Sequence, residues 1–202
     1  MTSRVIFVPF TGQPVPRMGS PLKWKRRAMW DNAARNTLVA SVAVGLSRKP
    51  RKKFRELGVR WKETELPDRV RVTILVESPE HAEWLSELLP AWEVQHAIPI
   101  DYEPNEVEVD PFADPPPGRI ATLMYAAMYG IVADVVVRAT GGTGKLPREW
   151  FTNGRGRLCM LLIVDFRDLS GPREETDSDV RRYEYHEEYI RELKPTLEKR
   201  TT

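Results

Sequence analysis

The chain is poor in the residues that build metal sites and disulfides. It has one cysteine, Cys159, and three histidines in 202 residues. A lone thiol makes neither a disulfide framework nor a Cys₄ zinc site, which points to a reducing, cytoplasmic compartment. His81, His96 and His186 share no metal-ligand spacing and read as ordinary polar histidines. Long apolar runs are missing as well. No stretch reaches the roughly 18 apolar residues of a membrane helix, and the opening MTSRVIFVPFTGQPVPR lacks the pattern of a secretory signal. No membrane association is expected. There is no Gly-x-Ser-x-Gly motif and no internal repeat, and no Cys/His pair suggests covalent catalysis.

One sign of charge is locally scarce. Lys23 to Lys62 holds thirteen Lys/Arg against Asp31 and Glu56 alone, whereas Asp101 to Asp114 holds six acids and no base. The net charge of +2 hides this asymmetry. A basic segment of this kind suits a polyanionic partner, and Phe54 and Trp61 interleaved with the cations suit unstacked bases. It equally suits a solvated surface loop pinned by its aromatics. Glu103, Glu106, Glu108 and Asp110 lack the glycine spacing of an EF-hand.

Hydrophobic patterning, with 41% hydrophobic residues, predicts one α/β domain. Arg4–Phe10 reads as a strand and Gly12–Pro21 as a loop. Lys23–Leu46 reads as a helix with Ala34, Leu38, Val42 and Leu46 on its apolar face and Val39 beside them; Asp31 is available as a cap. Residues 47–68 read as a basic loop. Val70–Val76 is a strand. Ser78-Pro79-Glu80 starts a helix by capping chemistry, and Ala82, Leu85 and Leu89 form its buried face near Trp84 and Leu88. Trp92–Ile98 is the next strand, which predicts a parallel β-α-β unit with a right-handed crossover. Residues 99–118 form a proline-rich acidic loop, either an extension or a flap on the basic segment. Arg119–Leu123, Val132–Arg138 and Leu158–Phe166 read as strands. The last two are continuously apolar, as in a sheet covered on both faces. Met124–Tyr129 is a helical turn ended by Gly130. Residues 171–202 read as a polar linker and a terminal helix with Tyr183, Tyr185, Tyr189 and Ile190 for docking.

Between the last two strands lies Ala139-Thr140-Gly141-Gly142-Thr143-Gly144-Lys145-Leu146. It imitates a phosphate-binding P-loop, with Gly141, Gly144 and Lys145 as the nucleotide-binding candidates. Leu146 stands where the motif's Ser or Thr holds magnesium, and Pro147 follows at once. A P-loop-like nucleotide-binding enzyme using residues 139–145 is therefore the alternative reading. A further alternative is a protein-interaction module using the acidic loop and the terminal helix.

The ordered segments resemble the second, C-terminal RecA-like domain of superfamily 2 DEAD/DEAH-type helicases. Trp30-Asp31-Asn32-Ala33-Ala34-Arg35-Asn36 resembles that domain's opening helix. Thr73-Ile74-Leu75-Val76-Glu77-Ser78-Pro79-Glu80-His81-Ala82 resembles motif IV, and Ile120-Ala121-Thr122 with Gly130-Ile131 resembles motif V. Phe151-Thr152-Asn153-Gly154-Arg155-Gly156-Arg157 is similar to a degraded motif VI, with Phe151 in the place of Gln. Val132 occupies the position of the motif V acid, with Asp134 nearby. Val164-Asp165-Phe166 with Asp168 resembles the closing strand.

The resemblance implies a RecA-like (P-loop-NTPase-like) fold over residues 30–170. That fold is three-layered: an open, mostly parallel sheet of five to seven strands with helices on both faces, here preceded by a strand-and-loop extension over 1–29. The resemblance also implies that Thr122 bonds a phosphate, that Gly130 lets the backbone approach, and that Arg155 and Arg157 are the arginine-finger candidates. Lys25, Arg26, Arg27, Arg51, Lys52, Lys53 and Ser78 become candidates for nucleic-acid contact, with DNA favoured over RNA. No intact Walker A and no DEAD-type box occurs in the sequence. ATP with magnesium is therefore expected only beside a protein partner that carries a first, Walker A-bearing domain.

Overall fold

A computed structural model describes residues 4–10, 20, 22–23, 26–57, 70–96, 115–139, 150–152 and 162–168. The architecture is α/β and rests on a parallel sheet. Its strands are β1 (Arg4–Phe10), β2 (Val72–Val76), β3 (Glu93–Gln95), β4 (Arg119–Thr122), β6 (Val135–Arg138) and β8 (Leu162–Asp168), in the order β1-β8-β6-β2-β4-β3. Every pairing is parallel. A separate parallel pair joins β5 (Ile131–Val132) to β7 (Phe151–Thr152). The helices are α1 (Ala33–Arg48), α2 (Pro50–Glu56), α3 (Pro79–Leu88) and α4 (Leu123–Tyr129).

Residues of β2 alternate between the two faces, as the two-residue period of a strand requires. Val72, Ile74 and Val76 pack with Val39, Val42 and Leu46 of α1, Phe54 of α2, and Ala82 and Leu85 of α3. Leu75 packs on the other face with Ala121, Val136, Ala126 of α4 and Ile131 of β5. Both faces are thus covered, which is why these strands are continuously apolar. The parallel β-α-β unit expected around α3 is present, but β4 lies between β2 and β3. Hydrophobic pattern carries no information on strand order, so the insertion was invisible in sequence.

Several elements differ from their sequence reading for local reasons. The helix expected over Lys23–Leu46 breaks in two. A π-helical turn spans Arg26–Trp30, where the Asp31 N–H donates to Arg26 O, five residues back, at 2.9 Å. Asn32, not Asp31, then caps α1, its Oδ1 accepting the Arg35 N–H at 3.0 Å. Asn competes well for backbone hydrogen bonds, which stops one helix and starts another. The buried face of α1 is Arg35, Asn36, Val39, Ala40, Val42, Ala43 and Leu46, while Ala34 is exposed.

Part of the basic loop is helical: Pro50 opens α2, and Phe54 is fully buried. The strand expected over Val132–Arg138 is interrupted at Ala133-Asp134. There Asp134 accepts from Arg71 through Nε and Nη2, both at 3.1 Å, and from the Arg71 N–H at 2.9 Å. That clamp starts β6 at Val135 and leaves Ile131 and Val132 to pair with Phe151 and Thr152. The loop over 12–19, residues 58–68 of the basic segment, residues 99–114 of the acidic loop and the tail over 171–202 lie outside the described residues.

Candidate functional site

Because the sheet is all parallel, its carboxyl ends share one edge. The chain leaves β2 through α3 toward β3 on one side, and leaves β6 toward β8 on the other. The two departures diverge between adjacent strands, and open α/β sheets bind ligands in the crevice at such a switch point. The described residues that follow β2 and β6 are Glu77-Ser78 and Ala139.

Ser78 and Thr122 both stand at this edge, and both are helix caps. The Ser78 Oγ accepts the His81 N–H at 3.2 Å, and Pro79 opens α3 without losing a hydrogen bond. The Thr122 Oγ1 accepts the Tyr125 N–H at 3.2 Å and so starts α4. Val76 and Thr122 are register partners of neighbouring strands, which brings the two turns together. Ser78 is half-buried; Thr122 is buried.

A buried polar network lies against the same edge. The Asn36 Nδ2 donates to Trp30 O at 2.7 Å, which fixes Asn36 Oδ1 as an acceptor. His81 Nε2 lies 3.0 Å from that oxygen and must therefore carry the proton. Nδ1 is left as a buried lone pair with no hydrogen-bond partner among the described residues. Burial, and secondarily the Arg35 guanidinium, pull the His81 pKa down to about 3. The Arg35 Nη2 in turn donates to Ala139 O at 3.0 Å, tying α1 to the end of β6. Arg138, also buried, is the register partner of Leu75 and Asp165.

In sequence these groups read only as part of a motif-like string or as ordinary polar residues. The available signal was the interruption of an apolar helix face by Arg35-Asn36, one turn before Val39. A polar pair on a buried face needs partners, and here they come from α3 and β6.

The candidate cations separate into two groups. Arg26 is exposed and reaches the switch-point edge, where it bonds Glu80 at 3.1 Å, and its guanidinium sits 5.8 Å from the Trp30 ring centroid; Arg27 is exposed in the same π-helical turn. Arg51, Lys52 and Lys53 belong to α2, which packs on the last turns of α1. Lys53 methylenes lie against Gly45, ten residues beyond Arg35, or about 15 Å along the helix axis. The two groups therefore do not form one patch. Lys53 also pairs with Glu56 at 3.2 Å.

Gly130 ends α4 at φ +69°, about 12 Å along the helix from Thr122. A Cβ there would stand 3.3 Å from Trp150 O, so the close approach it permits is that of the chain's own β7 segment. Asp134 is engaged at the opposite end of β6 by Arg71. Lys25, Gly141, Gly144, Lys145, Arg155 and Arg157 lie outside the described residues. Among the described residues no group of His, Cys, Asp or Glu is arranged to hold a metal, and no helix is long and apolar enough to cross a membrane. No protein-family model and no curated protein sequence matches the chain.

Proposed function

We propose that the chain is a nucleic-acid-binding domain built like the second RecA-like half of a superfamily 2 helicase, without ATP hydrolysis of its own. It would work beside a separate domain that carries the Walker A loop. The observation that supports this reading most is the adjacency of the Ser78 and Thr122 turns. The two stretches that resemble motifs IV and V lie far apart in sequence, yet end on neighbouring parallel strands, at the edge where open α/β sheets hold ligands. Arg26 supplies exposed positive charge there, and Arg27 is exposed in the same turn.

On this reading a sugar-phosphate backbone lies along the carboxyl edge, held by Arg26, Arg27 and the half-buried Ser78 hydroxyl. Contact through phosphates positions a strand without reading its sequence. Thr122 is buried and caps α4, so it shapes the turn there, and its phosphate role rests on its resemblance to motif V. Arg155 and Arg157 keep the arginine-finger role only by their resemblance to motif VI.

Fluorescence anisotropy with labelled DNA and RNA at about 50 and 200 mM salt tests the proposal. Affinity should fall steeply with salt, and DNA should bind better than RNA. Arg26→Ala and Arg27→Ala should each lower the slope of log K against log salt by about 1. Absence of binding at low salt removes the nucleic-acid reading. ATP turnover by the chain alone removes the claim that it needs a motor partner.

A further inference from the structure

The helix layer of this protein carries two complementary surfaces on one side of the sheet, and we infer that they pair two copies of the chain face to face. The first surface is the outer side of α3. At 3.6 residues per turn, Glu83, Glu87, Glu80, Trp84 and Leu88 follow one another around about 140° of that helix. His81, Ala82 and Leu85 take the opposite side and are buried. Trp84 and Leu88 are each 46% exposed and sit one turn apart, forming an apolar ridge beside an acidic one. Glu80 is held by Arg26, but Glu83 and Glu87 are exposed and make no ion pair among the described residues.

The second surface is the outer side of α2. Phe54 and the Lys53 stem turn inward, which leaves Arg51, Arg55 and Lys52 as a contiguous exposed cationic arc. Lys52 reaches Glu56 only at 3.9 Å, and Arg51 and Arg55 have no acidic partner among the described residues. Phe54 of α2 and Ala82 and Leu85 of α3 belong to one core cluster, so both helices lie in the layer on the same face of the sheet.

That placement decides the occupant. The acidic α3 ridge with its exposed indole calls for a cationic surface, and Arg51, Lys52 and Arg55 on α2 of a second copy supply it, arginine guanidinium groups being able to stack on Trp84. Because the two surfaces share one face, a two-fold axis satisfies both contacts at once: α3 of each copy meets α2 of the other. Trp84 would be the desolvated centre and the Glu–Arg pairs the rim that sets orientation. The inference leaves Arg26 and Arg27 free for nucleic acid and assigns the α2 cations, distant from the switch point, to self-association.

Sedimentation equilibrium of the full chain at low and high salt tests it. The wild type should form a dimer that weakens as salt rises. Trp84→Ala should raise the dissociation constant by about 30-fold or more. Glu83→Lys with Glu87→Lys, and separately Arg51→Glu with Arg55→Glu, should each give monomers. An equimolar mixture of these two charge-reversed proteins should recover a dimer. Circular dichroism on each variant checks that the fold is kept. A wild type that stays monomeric through its soluble range at low salt overturns the inference, and so does a mixture no more associated than its components. Nucleic-acid affinity of Trp84→Ala, which changes no charge, should match the wild type, so failure of the dimer and failure of the proposed function are read separately.

Discussion

Acid should unfold this protein through His81, and the size of the effect can be worked out. The imidazole is neutral when folded: Nε2–H donates to Asn36, and the added proton on Nδ1 would be buried beside Arg35 with no acceptor among the described residues. Its pKa falls from 6.5 to about 3 on folding, mainly by desolvation and secondarily by Arg35. The unfolded chain therefore binds one more proton than the native state between these limits. Stability from this group is complete above pH 6.5 and is lost as pH falls toward 3. At 1.36 kcal/mol per unit, the full loss approaches 5 kcal/mol, and about 2 kcal/mol is already gone at pH 5. A domain of ordinary stability has about 5–15 kcal/mol in all, so the effect is large.

The measurement is urea unfolding followed by far-UV circular dichroism at steps from pH 7.5 to 5. His81→Gln is the reference because it keeps an N–H donor for Asn36 and cannot titrate. The gap between wild type and variant should narrow by about 2 kcal/mol over that range. Parallel pH profiles for the two proteins would refute a buried neutral His81, and so would a wild type that gains stability as pH falls from 6.5 to 5.

Two stability predictions concern the turns at the carboxyl edge and the end of α4. Ser78→Ala should cost about 1 kcal/mol by removing the cap of α3, read as a lower urea midpoint with unchanged slope; Ser78→Asp should recover most of it. Gly130→Ala should cost about 1–3 kcal/mol because φ +69° with ψ 176° is a backbone region open essentially to glycine alone, and the contact with Trp150 O adds to that; thermal unfolding measures it, and an unchanged midpoint would contradict the geometry.

Much of the fold was legible in local sequence. Val70–Val76 read as a strand because β-branched and apolar residues dominate it, and Ser78-Pro79 signals a helix start through its own chemistry. β1 was readable from Arg4–Phe10 in the same way. The misread boundaries lie where a side chain reaches a distant backbone. Asp134 looked like one polar residue in an apolar strand until Arg71, 63 residues earlier, clamped it. Arg35-Asn36 looked like an opening motif on a helix, and their partners, Ala139 and His81, are 104 and 45 residues away.

Local chemistry thus determines that this chain makes parallel-type strands joined by capped helices, because periodicity, caps and breakers act within a few residues. The division of basic and acidic residues into separate segments is likewise written in the sequence. Three-dimensional packing alone decides the strand order, with β4 between β2 and β3, and so decides that the Ser78 and Thr122 turns share an edge. It also decides that Arg26 and Arg51 serve different surfaces, since a 16-residue helix carries its two ends about 24 Å apart. Burial makes His81 a neutral donor in place of a titrating surface group: its environment is assembled from α1, α3 and the end of β6, and no local stretch of sequence contains all three.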